Sequence, residues 1–274
     1  MFGEALGGAG KLVNPPFDVK LLRKLVRESS SLPRCLEALT TNVATTGYNV
    51  LSTERQAQDD GTPVTDPMAL NIRGFFDEMW PGVSLLDALT KTVMDTQSVG
   101  VYYWEVLRNA NKDVTFVRGV KSDYIRPVRL VPADEITKPV TLNRNGTTVT
   151  VKNFKVFERR FAKVHKLGTA NGRSTPIYFK EFGSERDLNK HTGEWGTKEK
   201  PVAARDLATE LIQFKATDDM EPMWISELSS VLGEQEALDL NLSFFDNGGI
   251  PPVIIALLGG QLTPDSANRL IGVS

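Results

Sequence analysis

Between Asn14 and Ser98 apolar residues return every three or four positions, the spacing of helices that lie on a core. Phe17, Leu21, Leu22, Leu25 and Val26 predict a first helix behind Pro15 and Pro16. A second is predicted from Pro33 to about Thr46, with Cys35, Leu36, Leu39 and Val43 on its stripe and Gly47 at its C-terminal end. A third starts at Asp66-Pro67 and runs to Trp80, where Pro81-Gly82 breaks it. Ser84 caps a fourth, which reaches about Ser98 with Leu85, Leu86, Leu89 and Val93 as its apolar face. Residues 1–13, rich in Gly and Ala, read as a flexible leader, and the polar run 52–65 as a loop.

After Gly100 the period shortens to two. VYYWEVLRN, DVTFVRGV and YIRPVRLVP are short β-branched and aromatic segments separated by Asn, Gly and Pro, as expected of antiparallel strands. Asn145-Gly146 marks a hairpin, KNFKVFERRFAKVHK reads as a continuing strand, and IYFKEF and ELIQFK complete the β region. From Glu221 a helical pattern returns, interrupted only by Gly233, for about 26 residues or roughly 39 Å. It ends at Phe244-Phe245-Asp246-Asn247-Gly248-Gly249, and Pro251-Pro252 keeps it from resuming. The run to Leu258 then has the character of a strand, and Thr263-Pro264 opens another helix.

Composition narrows the classes. The apolar and charged fractions, 41% and 24% over 274 residues, are those of a globular chain, and the longest apolar run is far short of the roughly 20 residues that span a bilayer. No membrane partner is expected. The single Cys35 cannot form an intramolecular disulfide, so a reducing compartment is expected. The net charge of −2 argues against a global grip on nucleic acid.

Charge is nevertheless segregated. Basic residues dominate from Val114 to Lys166, and Arg159, Arg160 and Lys163 read as a basic surface. From Asp218 to Asp246 there are eight acids and neither Lys nor Arg.

Catalytic signals are weak. His165 and His191 lack Cys or His at metal-ligand spacing, and no phosphate-cradling or nucleophile-elbow motif occurs. Asp218, Asp219 and Glu221 could hold a divalent metal for phosphodiester cleavage, but acids also suit the positive end of a helix dipole. The strand KNFKVFERRFAKVHK leaves three readings open: Phe154, Phe157 and Phe161 stacking on bases, the same rings filling a core, or a basic face for an acidic protein partner.

Four stretches taken together resemble the portal proteins of tailed bacteriophages, in their prophage-type branch. They are NPPFDVKLLRKLVRESSSLPRCLEALTTNVATTGY at 14–48, IYFKEFGSERDLNKHTGEW at 177–195, ELIQFK at 210–215, and PMWISELSSVLGEQEALDLNLSFFDNGGIPPVIIALLGGQLTPDSANRL at 222–270. The resemblance departs at Asp219-Met220-Glu221-Pro222-Met223-Trp224, where the family often has Tyr-Gly-x-Pro-x-Trp. It implies an α+β fold with a leader (1–13), a wing (14–220, helices over 17–98 and β-rich over 101–215), a stem helix (221–247) and a partial α/β clip (248–274). Portals continue through a second long helix, a channel loop and a crown, so the chain is expected to be a C-terminally incomplete portal.

The resemblance also implies a function: a non-enzymatic ring, a dodecamer at the capsid vertex, that needs no cofactor. Double-stranded DNA would pass through without sequence readout, and terminase, capsid, scaffold and head-tail connector proteins would dock. Assembly is expected in the host cytoplasm. Glu227, Glu234, Glu236 and Asp239 are the candidates for a phosphate-repelling channel lining, and the corner Phe244, Phe245, Asn247, Gly248, Gly249, Pro251 and Pro252 for the stem-to-clip turn. The rivals are a metal-dependent nucleic-acid-processing enzyme built on Asp218, Asp219 and Glu221, and an interaction module outside any virion.

Overall fold

The computed structural model describes residues 12–44, 46–50, 67–144, 147–163 and 176–246. The loop 52–65, Asn145-Gly146, His165, the corner residues Asn247, Gly248, Gly249, Pro251 and Pro252, and the strand and helix expected after them lie outside these residues. The chain divides into two compact units, Met1–Leu232 and Gly233–Ser274.

Among the described residues four helices open the first unit: α1 (Val19–Glu28), α2 (Leu32–Ala44), α3 (Pro67–Asp77) and α4 (Leu85–Val99). Asp18 caps α1 by accepting from the Lys20 N–H, and Ser84 and Asp87 form a reciprocal capping box on α4. The buried rows differ from the expected stripes. In α2 it is Leu32, Leu36, Thr40 and Ala44 that are buried, while Cys35, Leu39 and Val43 are exposed. Leu21 of α1 and Leu86 of α4 are likewise exposed, and Ala88, Thr92 and Thr96 occupy the inner row of α4. Threonine can take such places because a helical hydroxyl finds a carbonyl one turn back. Thr40 Oγ1 donates to Leu36 O and Thr92 Oγ1 to Ala88 O, each at 2.7 Å. Thr92 also accepts from Trp104 Nε1 at 2.8 Å, which joins helix to sheet.

Eight strands follow among the described residues: β1 (Val101–Arg108), β2 (Val114–Val120), β3 (Ile125–Pro127), β4 (Glu135–Arg144), β5 (Thr147–Phe157), β6 (Arg160–Lys163), β7 (Ile177–Glu181) and β8 (Glu210–Lys215). Six form a sheet in the order β2-β1-β8-β7-β6-β3, and β4 and β5 pair separately as a two-stranded ribbon. The ribbon brackets Asn145-Gly146, as the hairpin signal predicts. The sheet is mixed: β7 and β8 run parallel while every other described pairing is antiparallel. A parallel pair needs a long crossover, which the segment from 182 to 209 supplies without an α-helix, its one regular piece being the 3-10 turn Ala204–Asp206.

Both faces of the sheet's centre are covered. Tyr102, Trp104 and Val106 pack with Val117, Met79 and Ala88 under α3 and α4, while Val101 and Tyr103 pack with Leu211, Phe179, Phe161 and Ile125 on the other side. β1 is therefore buried continuously from Val101 to Val106 rather than at alternate positions.

Charged pairs tie these layers together. Arg23 of α1 forms a two-point contact with Asp95 of α4, at 2.7 and 2.9 Å, and its Nε donates to Asp123 at 2.9 Å. The hydrogen bonds to Asp95 raise the guanidinium pKa further, despite partial burial. Arg23→Ala is expected to lower stability by about 2–3 kcal/mol, because two carboxylates lose their charged donor. A urea midpoint unchanged from the parent would contradict this.

A second set holds the crossover. Asp134, 1% exposed, accepts from Trp195 Nε1 (2.7 Å), from the Val131 N–H (2.8 Å) and from Arg160 Nη2 (3.0 Å). Arg160 Nε lies 2.8 Å from the same carboxylate without the alignment of a hydrogen bond, and Nη1 donates to Gly193 O at 2.7 Å. Arg186 donates to Glu158 at 2.6 Å and stacks over the Trp195 ring.

Candidate functional site

The acidic segment begins where β8 ends. Met220 has φ 61°, in the left-handed region that usually selects glycine. Its side chain is 7% exposed and packs with Tyr103, Phe161 and Leu211, which holds the residue in this conformation. Pro222 is fully buried, and Thr217 Oγ1 bonds both the N–H and the carbonyl of Glu221. The helix expected from Glu221 starts later: Met223–Glu227 is a 3-10 turn, and α5 runs from Leu228 to Asp246. Trp224 donates to Gln97 O at 3.0 Å, and Val231 packs with Leu32 and Leu36, so the root of the helix is held by α2 and α4.

The sequence candidates distribute as follows. Glu227, on the 3-10 turn, and Glu236 and Asp239, on α5, are exposed, while Glu234 is half-buried. At about 100° per residue Glu236 and Asp239 share one side of α5, with Glu234 on the other. Glu227 accepts from Ser230 at 3.4 Å.

The apolar residues of α5 do not form one stripe. Val231, Leu238, Leu242 and Phe245 fall within roughly 60° of one another, and Leu240 and Phe244 face the opposite way. Leu240, Leu242 and Phe245 are 66%, 60% and 73% exposed. A helix apolar on two sides belongs in an interior.

Arg160 is not on the surface, which corrects one expectation. The strand expected to run through KNFKVFERRFAK is interrupted at Glu158-Arg159, and β6 restarts with Arg160 turned inward onto Asp134. Arg159 is exposed and Lys163 half-buried. Phe161 is fully buried in the core, whereas Phe154 and Phe157 on the ribbon are 45% and 42% exposed.

Asp218 pairs with Lys215 at 3.2 Å, and Asp219 points to solvent. Among the described residues no three His, Cys, Asp or Glu side chains are grouped to hold a metal ion. His191 is exposed, 3.8 Å from Asp206. No helix of the described residues is long and apolar enough to cross a membrane.

The fold has a known counterpart. It matches a chain in the solved neck of an empty GTA (gene transfer agent) particle with a TM-score of 0.51 at 14% identity, over 97% of this chain and 57% of that one. Two relatives in Bacillus subtilis strain 168 match along nearly the whole sequence. The XkdE protein of the phage-like element PBSX is 24% identical over 267 residues, and the uncharacterized protein YqbA is 25% identical over 268, each match covering 94% of this chain. The chain spans about half the length of these relatives, 51% and 49%. No protein-family model matches the sequence.

Proposed function

We propose that this chain is part of a phage portal subunit, a structural protein of the head-neck region that assembles into a ring around the DNA channel. The relationship to a protein of a phage-like element, and a fold like that of a chain in a particle neck, support the head-neck placement. The observation that carries the finer reading is α5, a 19-residue helix without Lys or Arg that exposes leucine and phenylalanine on two sides. Such a helix requires neighbours, and in a ring each copy supplies them. The sixfold symmetry given for the neck in the fold match is compatible with six or twelve subunits.

In this reading the Glu236–Asp239 side of α5 faces the channel. Carboxylates there repel phosphate, whereas a basic lining would neutralise it and make DNA stick with a strong salt dependence. Glu227 and Glu234 serve the contact with the neighbouring copy. The stem-to-clip corner from Phe244 to Pro252 carries docking surfaces for the terminase large subunit and, later, head-tail connector proteins. The β-rich wing meets capsid and scaffold. Chemistry and ATP hydrolysis belong to the motor.

Electron microscopy of the full-length protein tests the ring. Closed rings are expected for the parent and for Glu236→Lys/Asp239→Lys, but not for Leu242→Asp, which places a charge in the contact between copies. In particles, the lysine pair is expected to reduce DNA packaged per particle, with the deficit deepening at low ionic strength. Rings with unimpaired packaging would remove the channel assignment while leaving the ring intact, and absence of rings from the parent would remove both.

A further inference from the structure

A groove of about 550 Å³ opens between the end of β2 and strands β6 and β7, within the first unit. Four cationic side chains line it: Arg118, Lys121, Lys163 and Lys190. Its one carboxylate among the described residues, Glu105, is already engaged, accepting from Arg118 Nε and from Thr209 Oγ1 at 2.8 Å each. Lys190 donates to the Arg205 carbonyl, while Lys121 and Lys163 make no ion pair among the described residues. Among the described residues the groove therefore carries positive charge without a matching carboxylate, in a chain whose net charge is −2.

The rest of the lining indicates what would enter. Its aromatic residues, Tyr178 and Phe179, are 3% and 7% exposed and present no ring for a base to stack on. The apolar surface it does offer is aliphatic, from Ile177 at 41% exposure and Leu207 at 36%. Its volume lies in the range of sites that enclose a short segment or small molecule, not a track for repeated phosphates. Lysines beside aliphatic side chains complement carboxylates interspersed with apolar residues on an extended chain.

We propose that this groove is a docking site for an extended acidic segment of a partner protein, with Lys121 and Lys163 receiving carboxylates and Ile177 and Leu207 receiving the apolar side chains between them. The assignment stands on the groove and does not depend on the ring reading.

The test is fluorescence anisotropy on the full-length protein with a labelled twelve-residue peptide of alternating Glu and Leu. Its Lys-Leu counterpart, a twelve-nucleotide single strand and a DNA duplex serve as competing probes. The acidic peptide is expected to bind, to weaken with salt, and to lose at least about tenfold in affinity in Lys121→Glu/Lys163→Glu. Lys198→Glu, an exposed charge reversal away from the groove, should change it less than twofold. If the double reversal disturbs assembly, Lys121→Gln/Lys163→Gln carries the same comparison with a smaller loss. The proposal is overturned if the acidic peptide binds no better than its lysine counterpart, or if Lys198→Glu loses as much as the double variant. Binding of the single strand or duplex that depends on the two lysines, without binding of the peptide, would reassign the groove to nucleic acid.

Discussion

Gly100→Ala is expected to lower the melting temperature by on the order of 10 °C, the largest loss foreseen for so small a change. Gly100 ends α4 with φ 88°, a conformation in which a side chain costs about 1–2 kcal/mol. Space forbids the methyl as well, because a Cβ here would stand 2.2 Å from the Met220 carbonyl oxygen and 2.6 Å from its carbon. That neighbour is backbone and cannot rotate away. Relieving the overlap would push α4 from the turn at Met220, adding roughly 1–3 kcal/mol of overpacking. Gly100 is also hydrogen-bonded on both sides, its N–H to Thr96 O at 2.8 Å and its carbonyl to the Ala216 N–H at 3.0 Å, so the local path is fixed. Gly82→Ala is the control: its φ is 73° but nothing lies within 4 Å, so only the conformational part remains. Equal melting temperatures for the two variants would show that the contact with Met220 is not tight.

Arg160→Met should destabilise by about 3–5 kcal/mol, as expected when one partner of a buried ion pair is removed. Arg160 and Asp134 are 5% and 1% exposed, and the methionine would leave a carboxylate with only the Trp195 and Val131 donors. It would also leave the Gly193 carbonyl without its donor. Since Gly193 and Trp195 belong to the crossover joining β7 to β8, protease cleavage between 182 and 209 should accelerate more than elsewhere. Arg159→Met, one residue away and exposed, should stay within about 0.5 kcal/mol. Comparable melting curves for the two methionine variants would refute the assignment of Arg160 to the interior.

The contrast between these arginines shows where sequence reasoning reached its end. A strand running unbroken through both would turn adjacent residues to opposite faces, but the break at Glu158-Arg159 and the aspartate that receives Arg160, 26 positions away, carry no local signal. Threonine rows posed a similar problem. Thr40 and Thr92 are polar residues outside the expected stripes, but each hydroxyl donates within its own helix and each residue is buried. The expected stripe of α2 was consequently displaced by one position, onto Leu32, Leu36, Thr40 and Ala44. The turn before α5 has methionine where its left-handed geometry favours glycine, and the buried cluster around Tyr103 holds the Met220 side chain.

The amino-acid sequence by itself determined the helix-then-strand order, the Ser84 cap, the hairpin about Asn145-Gly146, the segregation of charge and the presence, though not the start, of a lysine-free helix after β8. Each of these follows from periodicity, caps or turn chemistry within a few residues, where local sterics and hydrogen bonding dominate. Only the tertiary structure decided that β7 and β8 run parallel, that Arg160 is buried against Asp134, and that Arg118, Lys121, Lys163 and Lys190 converge on one groove. Those outcomes join residues tens of positions apart, and burial and charge pairing between distant segments carry no signature in local spacing.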